Sequence, residues 1–392
     1  MSDYKKYTCF IDYLCKLFFS YICIVNQLNV QKLTHWHTLH KEKSVYGRRI
    51  IFEMILPILK SLPDEFKVVQ VGQSFNKIPI YKVSIGNGKT KVLLWSQMHG
   101  NESTGTKAIL DLFNLFKNPG EHAPAIKDIL SKCTLVFIPI LNPDGAVAYT
   151  RVNAQGIDLN RDALDLAAPE SNILNQVLKE VDPSFCFNIH DQRTIFSVGR
   201  QNFPASLSFL APSVDEDRMV TDGRKVTMSV IASIYEELNK LIPGQIGRYS
   251  DEFYPKATGD NFEKAGHHTI LVESGHFKDD YDREEVRKYT FIAFVAGLYT
   301  IATDQKLENY QRYFDIPNNE KKYLDIIYKN VFLKDLNKKT DIGILFKEKL
   351  EDHQILFLPH IEEIKDLSSF NANKIIDLNG KVFQNKEDFN YK

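Results

Sequence analysis

Five cysteines in 392 residues are too few, and too unevenly placed, to staple a fold. Cys9, Cys15 and Cys23 crowd into the first 25 residues, while Cys133 and Cys186 lie in apolar, strand-like runs where a buried, inert thiol is expected. No disulfide framework is legible. An excess of one charge is missing as well. The 49 lysines and arginines stand against 50 aspartates and glutamates, so no net field would hold a polyanion, and nucleic acid drops out as a partner. Unbroken apolar runs of membrane length are also lacking. The candidate at 8–25 is interrupted by Asp12 and Lys16, and a charge at bilayer depth costs about 2.5–3.5 kcal/mol on insertion scales. The same charges break a signal-peptide core, and no small-x-small cleavage site comes after Val25. Residues 1–27 therefore read as an upstream start or a disordered extension, with no membrane span. The cytoplasm is the expected location, export or anchoring through residues 1–27 being the alternative. Internal repeats and low-complexity tracts are absent too.

What is present is ordinary soluble material, 43% hydrophobic and 25% charged. The length favours a large core domain plus a smaller unit. Apolar positions in 46–61 recur at helical spacing, and a hairpin-like pair comes after them at 67–71 and 78–85, before the turn Gly86-Asn87-Gly88. Four short, nearly continuous apolar runs come next, at 91–96, 134–140, 185–189 and 269–272. Strands buried on both faces have this texture. Helical stretches at 104–116, 170–180 and 226–241 lie between them, which predicts an α/β sheet covered on both sides. Beyond residue 304 a polar stretch, 305–322, leads into strand-like runs at 325–332, 342–346, 354–359 and 374–383. The expected division is thus an extension over 1–40, a large α/β domain over 41–304 and a small β-rich accessory domain over 305–392. The histidine-rich run 34–40 shows no partner carboxylate for metal binding and reads as helix surface.

Each apolar run ends in polar, chemically capable residues. The first leads into His99 and Glu102, the second into Asn142–Gly145, the third into His190 and the fourth into Glu273. In open α/β sheets ligands bind beyond the carboxyl ends of the strands, so these four constellations are expected to converge on one site. A histidine and a glutamate three apart, completed by a distant histidine, can supply three ligands to a zinc ion whose fourth position stays open. Taken alone, H-x-x-E is equally a solvated turn carrying two polar residues. A carboxylate such as Glu273 closing an apolar strand is costly unless it works or is paired.

His99-Gly100-Asn101-Glu102, Leu141-Asn142-Pro143-Asp144-Gly145 and the run from Arg151 through Asn153-Ala154-Gln155-Gly156-Ile157-Asp158-Leu159-Asn160-Arg161 to Asp162 stand in this order before His190 and Glu273. Together they resemble the zinc carboxypeptidases of the M14 (funnelin) family, with 153–161 closest to the regulatory branch. The resemblance spans residues 45–300. It implies a mixed, largely parallel sheet with helices on both faces, and zinc-dependent hydrolysis of the C-terminal peptide bond of peptides with a free C-terminus. It implies one Zn2+ per chain, with His99, Glu102 and His190 as ligands and Asp158 taking the second N–H of the first histidine. Glu273 takes the place of the general base toward zinc-activated water, and Arg151 that of the cation facing the carbonyl oxygen. Asn160 and Arg161 match the pair that grips the terminal carboxylate. Tyr254 matches a loop tyrosine, with Tyr249 as its rival.

Some features depart from the pattern. Asn101 stands where digestive members carry arginine, Asp191-Gln192-Arg193 after His190 matches no specificity pattern, and the stretch from Arg161 to His190 is short. His267, His268 and His276 have no matching role. Murein-peptide amidases and N-acyl amino acid deacylases of the same fold are the alternatives; Asn142–Gly145 and the full 153–161 run favour a peptidase over the deacylases, whereas the amidases share most motifs and only substrate tests separate them. A silent peptide-binding module would have lost a ligand or the base, and here all are present. The preferred terminal residue, the physiological substrate, the oligomeric state and the role of 305–392 are not written in these motifs.

Overall fold

The computed structural model describes residues 28–200, 202–304 and 307–389, so the sequence reading of residues 1–27 lies outside the described residues. Eight strands form the main sheet: β1 (Lys67–Gln73), β2 (Pro79–Ile85), β3 (Thr90–Trp95), β4 (Cys133–Ile138), β5 (Phe185–Asp191) and, after the short β6 (Phe196–Val198) and β7 (Phe203–Pro204), β8 (Leu207–Leu210), β9 (Ile246–Arg248) and β10 (His268–Ser274). Their order is β1-β2-β4-β3-β5-β10-β8-β9. The centre, β4-β3-β5-β10, is parallel. Antiparallel pairings flank it where β2 meets β4 and β8 meets β10.

Side chains alternate between the faces of a strand, and the two cores show that alternation. Val92 and Leu94 of β3 join Phe137, Phe187 and Val272 in one apolar cluster, while Leu93 and Trp95 join Ile138, Cys186 and Phe262 in the other. Helices α1 (Val30–His40), α2 (Phe52–Lys60), α3 (Thr104–Lys117) and α4 (Ala123–Lys132) come first in the chain, then α5 (Pro143–Ala148), α6 (Pro169–Val181), α7 (Asp222–Leu238), α8 (Thr258–Lys264) and α9 (Glu284–Thr303). The first cluster lies under α3, α7 and α9, and the second under α6 and α8. No helix among the described residues is long and apolar enough to cross a membrane.

Two expected boundaries shift. Helix α1 buries Val30, Leu33, Trp36 and His37, so the larger unit takes in residues assigned from sequence to the 1–40 extension. Likewise Tyr313 and Ile316, expected in the accessory domain, are buried in the main core, and β11 (Glu320–Lys321) pairs with β6. The second domain begins after that. It is a sheet ordered β14-β13-β12-β15 from β12 (Tyr323–Leu333), β13 (Lys338–Glu351), β14 (Gln354–Lys365) and β15 (Asn371–Asp377), with β16 (Val382–Phe383) beside β12.

Candidate active site

Different pieces of backbone place the expected ligands, and each is locally braced. His99 and Glu102 occupy the turn between β3 and α3, closed by a Glu102 N–H bond to the His99 carbonyl at 3.1 Å. Beneath it, the Asn142 N–H donates to the Gln97 carbonyl at 2.9 Å, and Asn142 Nδ2 donates to the Met98 carbonyl at 3.2 Å. Gly100 is required here, because a Cβ would run into the backbone of Gly145 and Ala146. Asn142 Oδ1 also caps α5 by accepting from the Gly145 N–H at 2.8 Å, while Asp144 accepts from Ser74 Oγ at 2.8 Å. The Asn142–Gly145 segment was expected to converge on the site. It instead supports the ligand turn from behind and does not line the cleft.

His190 and Glu273 are brought together by strand register. Parallel β5 and β10 pair His190 with Glu273, and both residues have the parity that faces away from Phe187 and Val272. Just past them the buried Arg283 ties the strand ends together. It donates to the Ser274 carbonyl and to the Gln192 carbonyl, and pairs with Asp191 at 3.5 Å.

His99, Glu102 and His190 are buried, and their ligand atoms all lie within 4.8 Å of one another. His99 Nε2 lies 3.0 Å from Asp158 Oδ1, which directs the lone pair of Nδ1 inward. His190 Nδ1 is 3.1 Å from His99 Nδ1 and 2.9 Å from Glu102 Oε2, and Glu102 Oε1 is 2.9 Å from His99 Nδ1. With His99 donating to Asp158, one proton on His190 can satisfy only part of this ring of acceptors. A cation satisfies all of it, and two imidazoles with a carboxylate suit zinc. Burial opposes ionisation of Glu102, but the two imidazoles outweigh it and hold the carboxyl well below the usual range. Burial also lowers His190, favouring the neutral form a metal ligand needs.

The remaining expected residues line one cleft of about 360 Å³ with this cluster. Arg151 Nε donates to Asp158 Oδ2 at 2.9 Å, which aims its Nη1 at His99 Nδ1, 3.2 Å away. Asn160 Oδ1 accepts from the Thr258 N–H at 3.1 Å. The Arg161 guanidinium carbon sits 4.9 Å from the centre of the Tyr254 ring, and the Tyr254 hydroxyl donates to Glu252 at 3.0 Å. Tyr249 lines the same cleft, its phenol pushed up by burial and by the charge of Glu273. Burial and the neighbouring Glu102 and Asp191 hold Glu273 well above the usual carboxylate range.

Two features escaped the sequence reading. Asn188 is fully buried at the cleft, and neither of its amide atoms is hydrogen-bonded among the described residues. Its signal was a polar residue two before His190, on the same strand face. The second domain also reaches the site, through Glu348 bonded to Arg48 at 2.6 Å and Glu362 to Arg193 at 3.2 Å. Of the flanking histidines, His276 is buried against Asn373 of the second domain.

Comparison with known proteins fits this geometry. Residues 53–185 match the family described as zinc carboxypeptidase. Probable carboxypeptidase 2 of Trichophyton verrucosum (strain HKI 0517) is 25% identical over 178 residues, 45% of this chain and 30% of that protein. Carboxypeptidase A4 of Mus musculus is 30% identical over 105 residues, 26% of this chain and 25% of that protein. The chain thus spans no more than 30% of the length of either relative. Among solved structures, carboxypeptidase A from Helicoverpa armigera superposes with a TM-score of 0.53 at 16% identity, covering 71% of this chain and 80% of that one. Thrombin-activatable fibrinolysis inhibitor gives 0.54 at 14% identity, covering 74% and 84%. At these identities the structural likeness is one of fold.

Proposed function

We propose that the chain, whose residues 53–185 match the zinc carboxypeptidase family, is a metallocarboxypeptidase removing C-terminal residues from peptides. The observation that carries this reading is that His99, Glu102 and His190 share one cleft with Glu273, Arg151 and Arg161. A zinc ion held by His99, Glu102 and His190 would polarise the scissile carbonyl and lower the pKa of a water toward about 7.

The chain's own residues do the rest. Asp158 holds the His99 tautomer. The Glu273 carboxyl group makes no hydrogen bond among the described residues, so it is free to take a proton from the attacking water and return it to the leaving amine. Its raised pKa suits a base that must also act as an acid. Arg151, fixed by Asp158, presents a guanidinium beside the cluster, where negative charge develops on the carbonyl oxygen. Arg161 keeps most of its donor fork unused by the protein and faces the cleft with Asn160, suiting two-point capture of a terminal carboxylate. Tyr254 covers Arg161 from the exposed side.

The test is a peptide with a free C-terminus beside its C-terminally amidated twin, given to the zinc-loaded protein. The free peptide should lose its last residue and the amidated one should be largely spared. Arg161→Ala should remove this preference while zinc stays bound, and Glu273→Gln should lower kcat by on the order of 10²–10⁴ without releasing zinc. Equal cleavage of both peptides by the unaltered protein would rule out a carboxypeptidase and favour an amidase or deacylase of the same fold.

A further inference from the structure

A groove of about 670 Å³ runs between the two domains, walled on one side by the 98–102 turn and the end of β5, and on the other by β13 and β14. It is continuous with the catalytic cleft, since Glu102, Arg151, Asp191, Gln192 and Arg193 line both. The two cavities differ at their far ends. Asn160, Arg161 and Tyr254 line only the cleft, whereas Phe346, Lys347 and His360 of the second domain line only the groove.

We propose that this groove receives the residues upstream of the cleaved bond, with the second domain reading an acidic side chain there through Lys347. The inference rests on the carboxypeptidase reading. With the terminal carboxylate at Arg161 and the scissile bond at the cluster, the upstream chain advances about 3.3–3.6 Å per residue into the space opposite Arg161. That space is the groove.

The wall is fixed to the catalytic machinery. Glu348 accepts from Arg48 at 2.6 Å and from the Tyr149 hydroxyl, and the Arg48 carbonyl accepts from Ser103 Oγ at 2.6 Å, one residue beyond Glu102. The charge balance then selects the occupant. The groove's carboxylates are engaged, Glu348 by Arg48, Glu362 by Arg193, Asp191 by Arg283 and Glu102 by His99 and His190. Lys347 is exposed and its ammonium group has no ion-pair or hydrogen-bond partner among the described residues, so its charge is available to a ligand.

Two hexapeptides differing only in glutamate or lysine three residues before the cleaved bond test this. The zinc-loaded enzyme should favour the glutamate peptide about threefold to fivefold in kcat/KM, the size of one partly exposed charge pair, with the difference in KM. Lys347→Glu should reverse the preference. Fluorescence anisotropy of labelled hexapeptides on the Glu273→Gln protein supplies a readout independent of turnover, and the same reversal should appear in Kd. A preference unchanged by Lys347→Glu in both measurements overturns the inference. If neither peptide is cut while the anisotropy reversal holds, the groove reading stands and the catalytic reading fails.

Discussion

Asp158 joins three features of the site through one carboxylate. Oδ1 bonds His99 Nε2 at 3.0 Å and the Asn160 N–H at 2.9 Å, and Oδ2 accepts from Arg151 Nε at 2.9 Å. Burial works against its charge, but the bond from His99 and the cation of Arg151 prevail, and the carboxyl lies far below its usual range. It is therefore ionised at any pH where the protein would work, and it fixes which His99 nitrogen faces the cluster. Asp158→Ala should weaken zinc binding about 10-fold to 100-fold, measured by competition with a chelator of known affinity. Affinity equal to the unaltered protein would mean that the His99 ring is held by something other than Asp158. At this scale the sequence was informative because H-x-x-E, H and E sit at strand ends, where parity and register leave few directions to point. It was uninformative about Asn188, whose significance comes from lacking partners, a property only the packed structure has.

Elements with a pattern of their own were the ones the sequence disclosed, wherever their partners lay. The runs at 91–96, 134–140 and 185–189 became β3, β4 and β5 because an apolar run bounded by turns has little choice in a covered sheet. Helix α9 had no such signature, since Phe291, Ile292, Phe294, Val295 and Leu298 are all buried and no polar stripe marks an outer face. Of the histidine run 34–40, read as helix surface, His35, Thr38, Leu39 and His40 are exposed on α1, but Trp36 and His37 are buried, which no local pattern marked. The carboxylate that His37 needs is Asp111, 2.9 Å away in space and 74 residues away in sequence. Asp111 also takes Arg287 Nε and Nη2, each at 2.7 Å, and the Glu42 N–H at 2.7 Å, so one buried carboxylate fastens α1, α3 and α9. Truncating it leaves Arg287 buried with Glu284 as its remaining carboxylate. Asp111→Ala should cost about 3–5 kcal/mol, read as a lowered urea midpoint. A loss below about 1 kcal/mol would show that α1 is held by its apolar face alone.

At the scale of the whole molecule the two domains meet through a polar junction that is sensitive to acid. His276, on the catalytic side, is 3.1 Å from Asn373 Oδ1, and Asn373 also contacts the Tyr281 and Tyr323 hydroxyls, with Asp325 bonded to Tyr281 at 2.8 Å. Burial pushes the His276 pKa down to about 3, with the Asn373 bond opposing and the cations Arg283 and Arg48 adding to the shift. The folded protein thus keeps this imidazole neutral, while the unfolded chain protonates it near its ordinary value of about 6.5. Its contribution is whole above that value and declines as pH falls from there toward 3, by up to about 1.4 kcal/mol per pH unit. Glu263 has the opposite sign, because burial raises it to about 7 and its contribution is lost as pH climbs from 4.5 through that value. The two can be separated by variant. Between pH 7 and pH 5 both groups act in the unaltered protein with opposite signs, whereas of the two only Glu263 acts in His276→Gln, which keeps a hydrogen-bonding group toward Asn373 without a titrating ring. The unfolding midpoint of the variant should therefore shift upward relative to that of the unaltered protein as the pH is lowered from 7 to 5. Equal shifts in both proteins would place the acid sensitivity elsewhere. A relative gain in the variant would mean that protonating one buried imidazole loosens the junction that holds the β13–β14 wall against the cleft.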